Sequence, residues 1–303
     1  MAMRPPYPLL KELSAMSTGV RVRLFEAGHC VHPGFMVKPG LGLAPRKFPA
    51  GVALVEHPQE GALLFDTGYH QRFSQCTQQY PERFYALATP CSLQHGESLK
   101  EQLAIQNITA DQVRHVVLSH FHADHIAGVC DFEKATLHCH PAGHRFLTQT
   151  GRLRRLRKGY LRDLLPAQAE ARLSFTESFP LDLGDILDMP TRPLGLGARD
   201  LFGDQTLYLV ALPGHAAGQM GLLVRLQDKF LFLLADACWL VDNLRDGVDQ
   251  HWLANIICDD RKAYRDTLQK LRRCYRDMAD KVIFAPSHCQ DTLGPLIQQG
   301  WIS

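Results

Sequence analysis

Residues 119–128 read Ser-His-Phe-His-Ala-Asp-His-Ile-Ala-Gly, which gathers His120, His122, Asp124 and His125 into six positions. Imidazoles and a carboxylate at this spacing are transition-metal ligands. With 15 His among 303 residues, chance clustering is the competing account. Against it, the cluster follows the apolar run His115-Val116-Val117-Leu118, which reads as a buried strand. Four metal-type side chains fanned out at a strand end favour a metal site over a solvated loop.

If this stretch binds metal, further ligands belong at other strand ends, and three candidates stand there. YLVALPGHAAG carries His215 out of a strand through a Pro-Gly turn. FLFLLADACW ends an intensely apolar strand on Asp236, where an ionised carboxylate is costly unless it pairs or coordinates. KVIFAPSHCQ repeats the arrangement with His288. Each alone is more often a hydrogen-bonded structural residue; their joint occurrence with 120–125 carries the argument. His138, Cys139, His140 and His144 form a second dense group. Strand alternation separates Cys139 from His138 and His140, and His144 falls on the next helix, so structural roles are expected. Cys238 and Cys289 lie beside candidate ligands but have no base partner that would make them nucleophiles.

The elements that must hold these residues are short. Strands are expected near 20–25, 51–56, 62–65, 113–118, 135–138, 206–211, 221–225, 230–234 and 282–285. Over 261–278 the apolar residues Tyr264, Leu268, Leu271, Tyr275 and Met278 fall at steps of three and four, one stripe on a charged helix. A second helix is expected through ESLKEQLAIQ, and Pro141 suits the first turn of a third. Strand pairs followed by a helix recur in both halves, which implies a mixed α/β architecture. No flexible linker or repeat divides the chain, so a single domain over 1–303 is expected, with insertions near 31–49 and 150–200.

The first insertion, VHPGFMVKPGLGLAPRKFP, is rich in Gly and Pro yet carries Phe35 and Met36. Apolar residues in such a loop either line a substrate pocket or pack the loop down. The second holds six basic residues between Arg152 and Arg162, which read first as a solvated helix face and second as a lid for an anionic substrate. Aromatic interleaving of the kind that binds nucleic acid is missing from it. A net charge of +2 gives no global reason for a nucleic-acid or membrane partner. Nine cysteines without a short repeat suit reduced thiols, and the first residues lack the apolar centre of a signal peptide, so a cytoplasmic location is expected.

Taken together, His-x-His-x-Asp-His, a His after Pro-Gly, an Asp closing an apolar strand and a late His resemble the metallo-β-lactamase superfamily. GALLFDTG at 61–68 resembles its second signature, with Asp66 supporting the metal loop. LPGHAAGQMGLL and LADACW most resemble the branch of N-acyl homoserine lactone lactonases. The resemblance spans about residues 20–290 and implies a four-layer αβ/βα sandwich with the metals at one edge of two facing sheets. It further implies that His120, His122 and His215 hold one ion, Asp124, His125 and His288 a second, and that Asp236 bridges them. Seven ligands are too many for one tetrahedral ion and enough for two, with positions left for water and substrate. Zinc suits these donors first, with manganese or iron admitted because affinity alone does not select.

The implied reaction is hydrolysis of a lactone or carboxylic ester by a metal-bridging hydroxide, with Asp124 passing a proton to the leaving alkoxide. Thioester or phosphodiester hydrolysis on the same site is the alternative. A redox di-iron role fits poorly, because the oxygen-reducing relatives carry a glutamate where this chain has His122. A binding protein without turnover is a third reading, against which all seven ligands speak. The expected partner is a small-molecule substrate, without nucleic acid or membrane, and a homodimer is left open. One departure matters: three residues past the bridging aspartate the lactonases carry a tyrosine, where this chain has Trp239. Trp239 is expected to face the cleft, narrow it for flat groups and offer its indole N–H to substrate.

Overall fold

A computed structural model of the chain describes residues 19–36, 38, 40–252 and 256–303. Its first strands are β1 (Arg21–Pro33), β2 (Pro45–His57), β3 (Gly61–Phe65), β4 (Cys91–Ser92), β5 (Val113–Val117), β6 (Thr136–Cys139) and β7 (Leu173–Phe175). There follow β8 (Leu181–Asp182), β9 (Gly197–Asp200), β10 (Leu207–Ala211), β11 (Met220–Arg225), β12 (Phe230–Ala235), β13 (Val282–Pro286) and β14 (Trp301–Ile302). They form an eight-stranded sheet in the order β14-β1-β2-β3-β5-β6-β7, with β4 beside β1, and a six-stranded sheet β13-β12-β11-β10-β9-β8.

Period-two alternation along the strands sets the layers. Phe230, Phe232 and Leu234 of β12 enter a core shared with the helix Arg261–Met278, while Leu231, Leu233 and Ala235 enter a core between the two sheets. In β2, Ala53 and Val55 join that central core, and Val52 and Leu54 face the helices on the other side. Both faces of each sheet are therefore covered, which gives helix, sheet, sheet and helix in a four-layer αβ/βα sandwich.

The helix Arg261–Met278 has the expected bounds, and its stripe buries Tyr264, Leu268, Leu271 and Met278, with Tyr275 half-buried. Burying one leucine such as Leu271 contributes about 1.5–3 kcal/mol. The Asp260 carboxylate caps its start by accepting from the backbone N–H groups of Lys262 and Ala263. ESLKEQLAIQ becomes the helix Leu99–Ile105, opened by a reciprocal capping box between Ser98 and Glu101. Pro141 opens the helix Pro141–Gln149.

The two expected insertions are built differently. Residues 31–49 close one hairpin: β1 runs on to Pro33 and β2 begins at Pro45, and the tip between them opens with a 3-10 turn, Gly34–Met36. Both strands are thus longer than the apolar pattern alone suggested. Residues 150–200 hold the short helices Arg152–Arg157 and Leu183–Ile186, three short strands and several turns, not an open loop.

Parallel pairing positions the site. β3 lies parallel to β5, and β12 parallel to β13, so each pair ends at one edge of its sheet. The Met220 N–H donates to the Ser119 carbonyl at 2.9 Å and joins the two sheets at that edge.

Candidate metal centre

Five segments converge on this edge. Asp66 follows β3, the 119–125 loop follows β5, His215 sits in the turn between β10 and β11, and Asp236 and His288 follow β12 and β13. Sequence-distant candidate ligands meet because each strand is buried and ends at the same rim, with its polar residues in the segment that follows.

Ligand atoms of His120, His122, His215 and Asp236 all lie within 4.8 Å of one another, as do those of Asp124, His125, Asp236 and His288. His122 Nδ1 is 3.1 Å from His215 Nε2, which is 3.2 Å from Asp236 Oδ2. On the other side, His125 Nε2 is 3.2 Å from Asp236 Oδ1, and His288 Nε2 is 3.1 Å from Asp236 Oδ2 and 3.3 Å from Asp124 Oδ2. Ligands held ~2.0–2.1 Å from a tetrahedral ion stand ~3.3 Å from each other, so the spacings suit such ions. The buried His120 Nε2 has no hydrogen-bond partner among the described residues. An orphaned buried nitrogen aimed into a ring of imidazoles and carboxylates fits a metal and fits little else.

Outer contacts fix which nitrogen faces inward. Asp66 Oδ2 accepts from His125 Nδ1 at 2.7 Å and from Ser119 Oγ at 2.8 Å, while Oδ1 accepts from the Ser119 N–H at 2.8 Å. Ser119 Oγ in turn lies 3.0 Å from His120 Nδ1, so Asp66 orients His125 directly and His120 through a hydroxyl. His288 Nδ1 donates to the Pro49 carbonyl at 2.8 Å, which turns Nε2 toward Asp236. Asp66 and Ala235 both adopt left-handed backbone, at φ 62° and 48°, where each strand turns to present its functional residue.

The electrostatics suit cation binding. Burial, aided by the His215 charge, pulls the His122 imidazole down to about 3 and keeps it neutral near pH 7. Burial opposes ionisation of Asp124, but His125 and His288 outweigh it and hold the carboxyl at about 2. Burial likewise opposes a charge on His215, and Asp236 overrides it to raise that imidazole to about 9. A divalent ion in this space would take the place of the proton that Asp236 draws onto His215 and leave that imidazole neutral as a ligand.

A cavity of about 330 Å³ opens over the centre, and His122, Asp124, Asp236, His288 and Trp239 line it. Trp239 stands edge-on to His215 and His288, with ring centroids 6.2 and 6.3 Å away, and its buried Nε1 has no partner among the described residues. Met36 also lines the cavity, but Phe35 does not: it packs edge-on against His251 at 5.2 Å because the hairpin tip folds over that residue. Phe48, Tyr69, Tyr85 and Ile256 complete an apolar wall that sequence reasoning missed. Tyr69 follows the Asp66-Thr67-Gly68 turn directly and was findable on that ground; Tyr85 carried no signal.

The other clusters stay apart. His140 caps the helix Pro141–Gln149, His144 pairs with Glu170 at 2.6 Å, and His138 lies 3.1 Å from His115. Cys238 is buried, which raises its thiol well above the usual range, and the Cys289 sulfur accepts from the Val241 N–H.

One glycine bears on a ligand. Gly214 has φ 129°, and a Cβ there would sit 2.1 Å from the Tyr264 backbone nitrogen. Gly214→Ala is expected to push the His215 turn off the helix start, costing about 1–3 kcal/mol. Melting temperature and metal content should both fall; a variant with neither changed would refute the close-packing role.

The sequence profile of the metallo-beta-lactamase superfamily matches residues 47–274. A "probable metallo-hydrolase" of Mycobacterium tuberculosis is 29% identical over 62% of this chain, which spans 58% of that relative's length. The N-acyl homoserine lactonase AiiB of Agrobacterium fabrum is 28% identical over 70% of this chain and 75% of its own. Among solved structures, a B. thuringiensis AiiA variant with N-decanoyl-L-homoserine bound at its active site superposes with TM-score 0.68. It is 15% identical, over 92% of this chain and 97% of its own.

Proposed function

The chain belongs to the metallo-beta-lactamase superfamily, and from that premise we propose that it is a hydrolase of lactones or carboxylic esters with two divalent metal ions. Zinc is the metal the donor set suits first, ahead of manganese and iron. His120, His122 and His215 would hold one ion, Asp124, His125 and His288 the other, and Asp236 both. The observation that carries this reading is the orphaned His120 Nε2 inside two four-residue ligand groups that share Asp236. When bound, such a pair supplies an activated water and polarises a substrate oxygen.

The chain's own groups do the rest. The apolar wall from Met36, Phe48, Tyr69, Tyr85 and Ile256 binds the acyl or aryl part and excludes water from it. The Trp239 Nε1–H, unpartnered beside the ligands, donates to the acyl oxygen. Asp124 lines the cavity as a carboxylate, accepts a proton from the attacking water and passes it to the leaving alkoxide as the acyl–oxygen bond breaks. No lysine or arginine lines the cavity among the described residues, which favours an ester over a phosphodiester. A parallel screen of metal-analysed protein against lactones, aryl esters, thioesters and phosphodiesters tests the reading. Turnover of a thioester or phosphodiester alone would overturn it.

Trp239→Ala is expected to lower kcat/KM for the best substrate roughly tenfold or more, on the order of 1.4 kcal/mol of transition-state binding. Trp239→Tyr should shift relative activity toward acyl lactones. A variant that loses stability but keeps the kinetics of the folded fraction would assign Trp239 to packing instead.

A further inference from the structure

Five large apolar side chains, Tyr80, Phe84, Leu87, Leu153 and Trp252, are between 58% and 71% exposed. Neighbouring contacts draw them around the cavity mouth. The helix Arg83–Ala88 turns Tyr85 and Ala88 into the cavity and holds Phe84 and Leu87 out. Tyr80 packs tilted against Phe84, with ring centroids 4.7 Å apart. Arg152 joins that helix to the helix Arg152–Arg157 through two 2.7 Å bonds to Glu82, the residue before Arg83, which brings Leu153 alongside. Beside the helix Arg152–Arg157, Trp252 and Ile256 line a basic depression with Arg154, Arg157, Lys158 and Arg261, and Ile256 also lines the catalytic cavity.

Exposed residues of this size scattered singly need no explanation, but a group of them on the elements that border one opening does. Basic groups outnumber acidic ones among their charged neighbours. Arg83 lies over the Tyr80 ring, and Arg154 and Arg157 make no ion pair among the described residues. Of the acids here, Glu82 is paired with Arg152, Asp163 lies in the same depression as Arg152 and Arg155, and Asp259 acts on Lys158. An overall charge of +2 conceals this local asymmetry.

We propose that this rim docks on an anionic phospholipid surface. Aromatic and leucine side chains enter the headgroup region while the arginines bind lipid phosphates. No helix among the described residues is long and apolar enough to cross a membrane, so the contact is peripheral. The apolar cavity then opens toward the bilayer, from which an amphiphilic substrate enters. Docking stands without the proposed reaction; only substrate delivery rests on it. A protein partner or second copy would also cover apolar groups, but Arg154 and Arg157 at the same rim complement a lipid phosphate surface.

The test is flotation of the whole protein with vesicles of phosphatidylcholine, alone or mixed with phosphatidylglycerol. Binding is expected to the anionic vesicles and to weaken with salt. Arg154→Glu with Arg157→Glu, and separately Phe84→Ser with Leu87→Ser, should each weaken it roughly tenfold or more, with unchanged melting temperature. Vesicle binding is read without any substrate, so its failure and failure of the hydrolase reading are separate results. No flotation, or flotation unchanged in both double variants, overturns the proposal. So does a wild-type dimer in light scattering that the Phe84→Ser and Leu87→Ser pair converts to monomer.

Discussion

Asp236→Ala is expected to hold fewer than two ions per chain and to lose kcat/KM by roughly a thousandfold or more, several kcal/mol of transition-state stabilisation. Asp236 is the residue common to both ligand groups, with His125, His215 and His288 all 3.1–3.2 Å from its oxygens. Burial alone would raise its carboxyl; the three imidazoles outweigh burial and hold it well below the usual range. Truncation removes one shared ligand and leaves imidazoles facing each other with no intervening negative charge. Asp236→Asn keeps the shape and loses the charge, so it should fall between wild type and Ala in metal content. Elemental analysis beside kinetics makes the measurement, and a full pair of ions in the alanine variant would sink the bridging role.

The candidate ligands were legible because each stands shortly after the end of an apolar strand, a signal local in sequence. His215 after Pro-Gly and Asp236 after FLFLLA are readable in this way with no knowledge of what they meet. The cavity wall is different. Phe48 and Tyr69 are apolar residues in buried segments, and nothing local separates a wall residue from a core residue. Tyr85 sits on a helix of six residues, too short for periodicity to show which face turns inward. The same brevity hid the two-residue strands β4, β8 and β14. Phe35 was misplaced because its position depends on His251, more than two hundred residues away. The left-handed backbone at Asp66 and Ala235 had no signal either, since neither is a glycine; packing and hydrogen bonds around the strand ends impose it.

Asp66→Asn should weaken metal binding by roughly ten- to a hundredfold although Asp66 touches none of the proposed ions. Its two oxygens face three donors: the Ser119 N–H on Oδ1, and Ser119 Oγ and His125 Nδ1 on Oδ2. An asparagine has one carbonyl oxygen. Whichever way its amide is turned, an NH2 group must meet a donor, so one of these contacts becomes repulsive. If the amide nitrogen faces His125, that ring loses the acceptor that keeps its proton on Nδ1 and its Nε2 lone pair on the metal side. If it faces the Ser119 N–H, the strand end itself shifts, and His120 moves with it. The site is fully buried, so no water replaces the lost acceptor, and about 1–3 kcal/mol of stability should go as well. A structural role alone predicts lower melting temperature with normal ion affinity in the folded protein. A positioning role predicts weaker affinity for both ions, because Asp66 orients a ligand in each group. Competition with a chelator, run well below the melting transition of the variant, reads affinity apart from stability. Wild-type affinity in that titration would remove Asp66 from the metal centre's design.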